Sequence, residues 1–248
     1  RNGWYGNSDS MILASINSQT KTIYMTSFMR DLYANIPNVG IRKLNSAYAV
    51  GGGPLLVSTI ESNYRVDIDN YASVDFSSMA SIIDLVGGVD LEVSTQEAGY
   101  INMYLDEQCG LQGLNASDYY VAGGGITHLN GNQAVGFARI RYTSRGNEHS
   151  DYGRTSRQRE ILVQLMQKAR SLDATTLLAV VNNMLPLITH NIDAATLTTL
   201  IANAPSYINY DIQTDRIPYD GLYSNLGEEL VPDFEATINR LHQTIYGN

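Results

Sequence analysis

The chain has 248 residues, 44% of them hydrophobic, and its 25 Asp and Glu against 16 Lys and Arg give a formal net charge of −9. That balance supports a sizeable core and argues against a broad basic face for nucleic acid. The single cysteine, Cys109, excludes an intrachain disulfide and any zinc site built of cysteines.

From the start, MILASIN (11–17) and KTIYMTSF (21–28) read as adjacent strands joined by a short polar turn. A loop is expected through Pro37 and Gly40, then KLNSAYAVGGG and the helix PLLVSTIESNY, with Pro54 at its first position. NYASVDF (70–76) alternates like a strand, SSMASIIDLVGG (77–88) has the spacing and terminal glycines of a short helix, and VDLEV (89–93) is a further strand. The stretch at 95–128 is Gly-rich around 110–125 and reads as an irregular, insertion-like surface excursion. NGNQAVGFARIR (130–141) is a short helix with an asparagine cap. Helices are expected at 154–171, 174–187 and 228–245, with a strand at 209–217. Strands alternating with helices predict an α/β fold, a layered α/β/α arrangement with a central mixed sheet flanked by helices, as one domain over 1–248.

The window RIRYTSRGNEHSDYGRTSRQR (139–159) holds six arginines in an otherwise acidic chain: Arg139, Arg141, Arg145, Arg154, Arg157 and Arg159. Guanidinium groups stay charged and bind phosphate oxygens bidentately. Period-2 spacing would put Arg139 and Arg141 on one face of an extended segment. Arg154 and Gln158, four apart, would share a face at the start of a helix whose dipole favours an anion, with Ile161, Leu162 and Leu165 continuing toward the core. The competing reading is a solvated helix start with ion pairs to Glu148, Asp151 and Glu160. Spacing alone leaves both open.

A second charged group lies early. Asp9 opens the first strand, and Arg30 with Asp31 sits where the second strand ends. Ligands gather at strand ends in α/β sheets, and a carboxylate there suits Mg²⁺ on a phosphate; a turn capped by Asp31 is the plainer alternative. AVGGGP (49–54) lacks the Lys-Ser/Thr of a phosphate loop, the four histidines show no metal-ligand spacing, and no GxSxG elbow is present. The apolar stretch TTLLAVVNNMLPLI (175–188) reads as core or as a groove for an acyl or prenyl chain. Tyr104, Tyr119 and Tyr120 are candidate platforms for sugar rings.

Taken together, SDSM, SFMRD, KLNSAYAVGG, VDF, LVGGVDLEV, HLNGNQAVGFARIRY and DYGRTSRQRE resemble the extracytoplasmic domain of the LytR-CpsA-Psr family over roughly residues 1–165. The resemblance implies a membrane-anchored phosphotransferase of Gram-positive envelopes, on the extracytoplasmic face, that moves a glycan polymer from a polyprenyl-pyrophosphate carrier onto peptidoglycan. It implies assistance by Mg²⁺ or Mn²⁺. Carried onto matching positions, Asp9 is a metal-associated aspartate and Arg30 faces the pyrophosphate. Arg139, Arg141, Arg154 and Gln158 clamp the phosphates. Asp31, Lys43, Asn45, Asp151 and Arg157 occupy further motif positions, with Lys43 and Arg157 expected at the pyrophosphate. Asp31 and Asp151 are both open as the proton acceptor. Arg1 matches the last residue of an Asp-x-Arg element, so the preceding strand, the first metal aspartate and the anchor helix are expected upstream of the sequence given. Leu162, Leu165 and Leu178 would line the prenyl tail. A polyprenyl-lipid or wall-polymer binding protein without turnover, and a pyrophosphatase on the carrier, remain as alternatives.

Overall fold

The computed structural model describes residues 6–112, 115–145 and 150–247, so Arg1, Glu148 and His149 lie outside the described residues. In chain order the elements are β1 (Met11–Asn17), β2 (Thr22–Phe28), β3 (Tyr33–Ile36), β4 (Gly40–Lys43), α1 (Ser46–Tyr64), β5 (Ala72–Ser73), α2 (Phe76–Leu85), β6 (Val89–Val93), α3 (Thr95–Gln112) and β7 (Gly125–Leu129). They continue as α4 (Gly131–Arg139), α5 (Ser150–Arg170), α6 (Ala174–Met184), β8 (Thr189–His190), α7 (Ala194–Tyr207), β9 (Asp211–Ile217), β10 (Tyr223–Leu226), β11 (Glu229–Pro232) and α8 (Phe234–Tyr246). Among the described residues no helix is long and apolar enough to cross a membrane. Contacts divide the chain into two compact units: residues 1–73 with 190–197 and 210–248, and residues 74–189 with 198–209.

The first unit is built on a mixed sheet. β2, rich in β-branched and aromatic residues, is central: it pairs antiparallel with β1 in a hairpin and parallel with β9. Because both edges of β2 are paired, nearly every residue along it is buried. Tyr64, from the end of α1, packs edge-on against Phe28 at 5.0 Å between centroids and beside Phe234 of α8 at 5.9 Å. α1 is kinked, with Gly51 and Gly52 outside helical φ/ψ, so Pro54 starts its second part as a proline does at a helix N-terminus. Two hairpins replace expected elements: β3–β4 within the expected loop, and β10–β11 where the last helix was expected to begin.

The second unit buries a core of Ile83, Val89, Leu91, Ile101, Leu105, Leu129, Phe137 and Ile161, among others. β6 pairs antiparallel with β7, and α2, α3, α4 and α5 supply the helical layer. The expected excursion at 95–128 is not one: its first 18 residues are helix α3, and Ala98, Ile101, Leu105 and Cys109 are buried along it at helical spacing. Reciprocal bonds start that helix. Ser94 N–H and Oγ donate to the Glu97 carboxylate at 2.9 and 2.8 Å, and Glu97 N–H donates to Ser94 Oγ at 3.2 Å. α4 begins on the expected asparagine, as a capping box between Asn130 and Gln133. Its first residue must be glycine, because a Cβ on Gly131 would lie 2.0 Å from Ala80 O of α2. Gly131 N–H donates to Asp84 at 2.7 Å in that close approach. α4 is thereby fixed against α2, and its last residue is Arg139.

Candidate functional site

The first unit brings its motif residues to the end of β2. Asn45 N–H donates to Arg30 O at 3.3 Å and Ser8 N–H donates to Asn45 O at 3.4 Å, so the segment carrying Asp9 runs beside the turn carrying Arg30. Asp31 is held by Lys43 Nζ at 3.0 Å and by Arg30 Nε at 3.4 Å, and Lys43 also reaches Glu228 at the β10–β11 turn, 3.1 Å away. The Asp31 carboxylate, seconded by Glu228, holds the Lys43 ammonium above its ordinary value against the opposing effect of burial. Sequence reasoning missed Glu228, which stands on a short hairpin far away in the chain.

Asp9 is exposed, and among the described residues no group of three or more His, Cys, Asp or Glu gathers to hold a metal. A hard dication that takes most of its oxygens from phosphate and water needs only one or two carboxylates. Asp9 supplies one exposed carboxylate at this place.

The second unit gathers the arginine window and sorts it by depth. Arg139 ends α4 instead of lying on an extended segment with Arg141, because the capped helix runs on through it. Its guanidinium lies between two rings, 5.0 Å from the centroid of Phe76 and 4.7 Å from that of Tyr104. Gly136 admits Tyr104 at that place, since a Cβ there would meet the ring at 2.9 Å. Tyr104 therefore serves Arg139 as a platform. Tyr119 and Tyr120 stay partly exposed. The chain turns at Ile140, and Arg141 follows half-exposed, with Nε 3.6 Å from Asp151 Oδ1. Arg154, in the second turn of α5, is only 3% exposed and sets Nη2 3.3 Å from the same Asp151 oxygen. One carboxylate thus lies between two guanidinium groups, and Gln158 stands half-buried one turn further on. An open polar cleft of about 420 Å³ adjoins Arg141, lined by Gln96, Arg141, Tyr142, Thr143, Ser144 and Ser150.

Arg157 is placed where it cannot meet a phosphate, against the expectation that it does. It is 0% exposed. Its Nε donates to Glu97 Oε1 at 2.9 Å, Nη1 to Ile140 O at 3.3 Å, and Nη2 to Thr143 O and Ser144 O at 3.2 and 3.1 Å. Arg145 likewise turns inward, to Glu160 at 2.5 Å and Glu97 at 3.4 Å. Both guanidinium groups face the Phe137 ring, at 5.7 and 5.3 Å. Burial would raise the Glu97 carboxyl, but the Ser94 N–H and hydroxyl, Arg157 and Arg145 outweigh it and hold the group below its ordinary value. The ion-pair reading of the window therefore holds for Arg145 with Glu160 and for Arg141 and Arg154 with Asp151, while Arg139 is held between two rings. Glu97 was missed, although the pattern Ser94-Thr-Gln-Glu97 is a legible capping box.

Of the expected tail-lining residues, Leu162 and Leu165 are half-buried on α5, and Leu178 is exposed on α6.

The chain is thus a mixed α/β protein with arginines grouped at a helix start, a charge pattern that suits a multiply charged anion. The LytR_cpsA_psr family model matches residues 1–241, and the chain belongs to that family. It is 34% identical over 260 residues to the polyisoprenyl-teichoic acid–peptidoglycan teichoic acid transferase TagU of Oceanobacillus iheyensis, covering 100% of this chain and 72% of that protein. It is 29% identical over 180 residues to biofilm regulatory protein A of Streptococcus mutans serotype c, covering 70% of this chain and 41% of that protein. With the Enterococcus faecalis TagU, of which it covers 54%, the chain spans about half the length of these two relatives. The same fold occurs in TagT bound to LIIa-WTA (TM-score 0.74, 21% identity, 97% of this chain and 85% of TagT). It recurs in YwtF (TagT) with bound octaprenyl pyrophosphate lipid (TM-score 0.69, 21% identity, 98% and 86%).

Proposed function

We propose that this protein is a phosphotransferase that attaches a glycan polymer, of the teichoic acid or wall polysaccharide class, from a polyprenyl-pyrophosphate carrier to peptidoglycan. The observation that carries the reading is the grouping of Arg141 and Arg154 about Asp151 at the start of α5, with Arg139 stacked at the end of α4. The teichoic acid transferase TagU and the lipid-bound TagT, relatives by sequence or fold, support the choice of substrate.

Phosphoryl transfer asks the protein mainly for positioning and charge neutralisation. Arg141 and Arg154 bind the pyrophosphate oxygens, and Arg139 presents its stacked guanidinium to the same anion. A hydroxyl of a peptidoglycan sugar attacks the glycan-side phosphorus. The bond from that phosphorus to the bridging oxygen breaks, polyprenyl phosphate leaves with the electron pair, and the hydroxyl proton passes to a carboxylate, Asp151 or Asp31. In the first unit, Arg30, Lys43 and Asp9 enter the proposal through the family motif. Asp9 would hold Mg²⁺ or Mn²⁺, which supplies further positive charge to phosphate oxygens. Stronger pyrophosphate binding when Mg²⁺ is added, abolished in Asp9→Asn, is the expected calorimetric result.

The test is a transfer assay with a lipid-linked glycan and peptidoglycan. The protein should release polyprenyl phosphate and label the peptidoglycan, and Arg141→Ala should lose about a hundredfold in rate, about 3 kcal/mol, as for a lost oxyanion donor. Full activity in Arg141→Ala would remove that residue from the mechanism. Binding without turnover would leave a carrier-binding protein, and release of glycan phosphate without acceptor would make it a pyrophosphatase.

A further inference from the structure

Arg157 and Glu97 are the least accessible charged pair described in the second unit, and neither faces a space an anion could enter. What they do touch is the segment after α4. Arg157 uses its fork of donors on three carbonyls, Ile140, Thr143 and Ser144, while its Nε rests on Glu97. Those carbonyls bracket Arg141 and Tyr142. Glu97 is fixed in turn by the Ser94 N–H and hydroxyl at the start of α3. The pair thus ties α3, α5 and the 140–144 segment to one point above Phe137.

A buried ion pair is weak evidence for stability, since well-packed apolar residues often serve as well. What an apolar pair cannot do is bind three backbone carbonyls at set directions. We propose that Glu97 and Arg157 are positioning residues, which hold residues 140–144 so that Arg141 stands opposite Asp151 and Arg154. The inference rests on the reading of Arg141 as an anion-binding group. Arg157 acts through its planar donor fork; lysine, with a point charge on a flexible stem, keeps the charge but cannot span the three carbonyls.

The experiment combines calorimetry of inorganic pyrophosphate with backbone hydrogen exchange, on wild type, Arg157→Lys, Glu97→Gln, Arg141→Ala and the double variant Arg141→Ala/Arg157→Lys. Arg157→Lys should weaken pyrophosphate binding, by up to about a hundredfold if the guanidinium of Arg141 is displaced by an ångström. In the Arg141→Ala background the same change should add nothing, because its effect passes through Arg141. Amide exchange should accelerate at 141–145 in Arg157→Lys and Glu97→Gln and stay slow in β6. Wild-type affinity in a folded Arg157→Lys, or an equal loss with and without Arg141, would overturn the proposal. If wild type binds no pyrophosphate, the functional reading above fails instead. Exchange then decides alone: unchanged protection at 141–145 in Arg157→Lys refutes the positioning role, and its selective loss supports it. Should Arg157→Lys not fold, Glu97→Gln, which preserves shape and an acceptor oxygen, carries the same tests.

Discussion

Two ion pairs, one in each unit, show how differently the same chemistry can serve a protein. Arg157–Glu97 is shut away, with the carboxylate 2% exposed and the guanidinium spread over four acceptors. Lys43–Glu228 joins a strand end to a hairpin turn, and its carboxylate is 91% exposed. At similar separations, 2.9 and 3.1 Å, the first is closed off from solvent that could replace a lost partner, whereas in the second Glu228 is open to solvent and Lys43 keeps Asp31 as a further partner. Distance alone therefore says little about what an ion pair contributes; the surroundings decide.

The largest expected effect breaks the buried pair. Glu97→Ala should destabilise the protein by about 3–5 kcal/mol, the cost of leaving a buried charge alone, as read from the midpoint of urea unfolding. Next comes the close approach that sets α4 in place. Gly131→Ala should cost about 1–3 kcal/mol through the clash with Ala80 O. A negligible cost would mean that α4 is not pinned to α2 as described. Smallest is the exposed pair: Glu228→Gln should change stability by less than about 1 kcal/mol, and by less still at high salt.

pH sharpens the same contrast, with opposite signs. The Glu97 carboxyl is depressed in the folded state, so its contribution is full above the unfolded value of about 4.3 and is lost as pH falls through the folded one. The Lys43 ammonium is raised, so its smaller contribution is full below about 10.4 and is lost as pH rises through the folded value. Unfolding curves of Glu97→Gln should therefore flatten on the acid side, and those of Glu228→Gln should differ from wild type on the alkaline side. An acid slope unaltered by Glu97→Gln would show that other carboxylates set it.

Local rules were enough wherever an element carries its own signal. The β1–β2 hairpin, α2, β6, α4 with its asparagine cap and β9 are all legible, because alternation, caps and terminal glycines act within a few residues. The grouping of arginines at 139–159 is equally plain in the sequence, as is the family pattern to which it belongs. α3 escaped notice because Gly99, Gly110 and many polar residues mask a narrow apolar stripe at Ala98, Ile101, Leu105 and Cys109. The β3–β4 and β10–β11 hairpins have strands of only four residues each, too short to show a period.

What tertiary structure decided is the depth of each charge. Arg154 and Arg157 are three apart on one helix and share a side of α5, yet Arg154 shares Asp151 with Arg141 while Arg157 is consumed by a carboxylate sixty residues away. Burial of a charge depends on what other segments bring to it, and no spacing within α5 contains Glu97 or the carbonyls after α4. The sequence alone could say that these arginines belong together. Only packing could set Arg157 on Glu97 and the carbonyls after α4, Arg145 on Glu160 and Glu97, and Arg141 with Arg154 about Asp151.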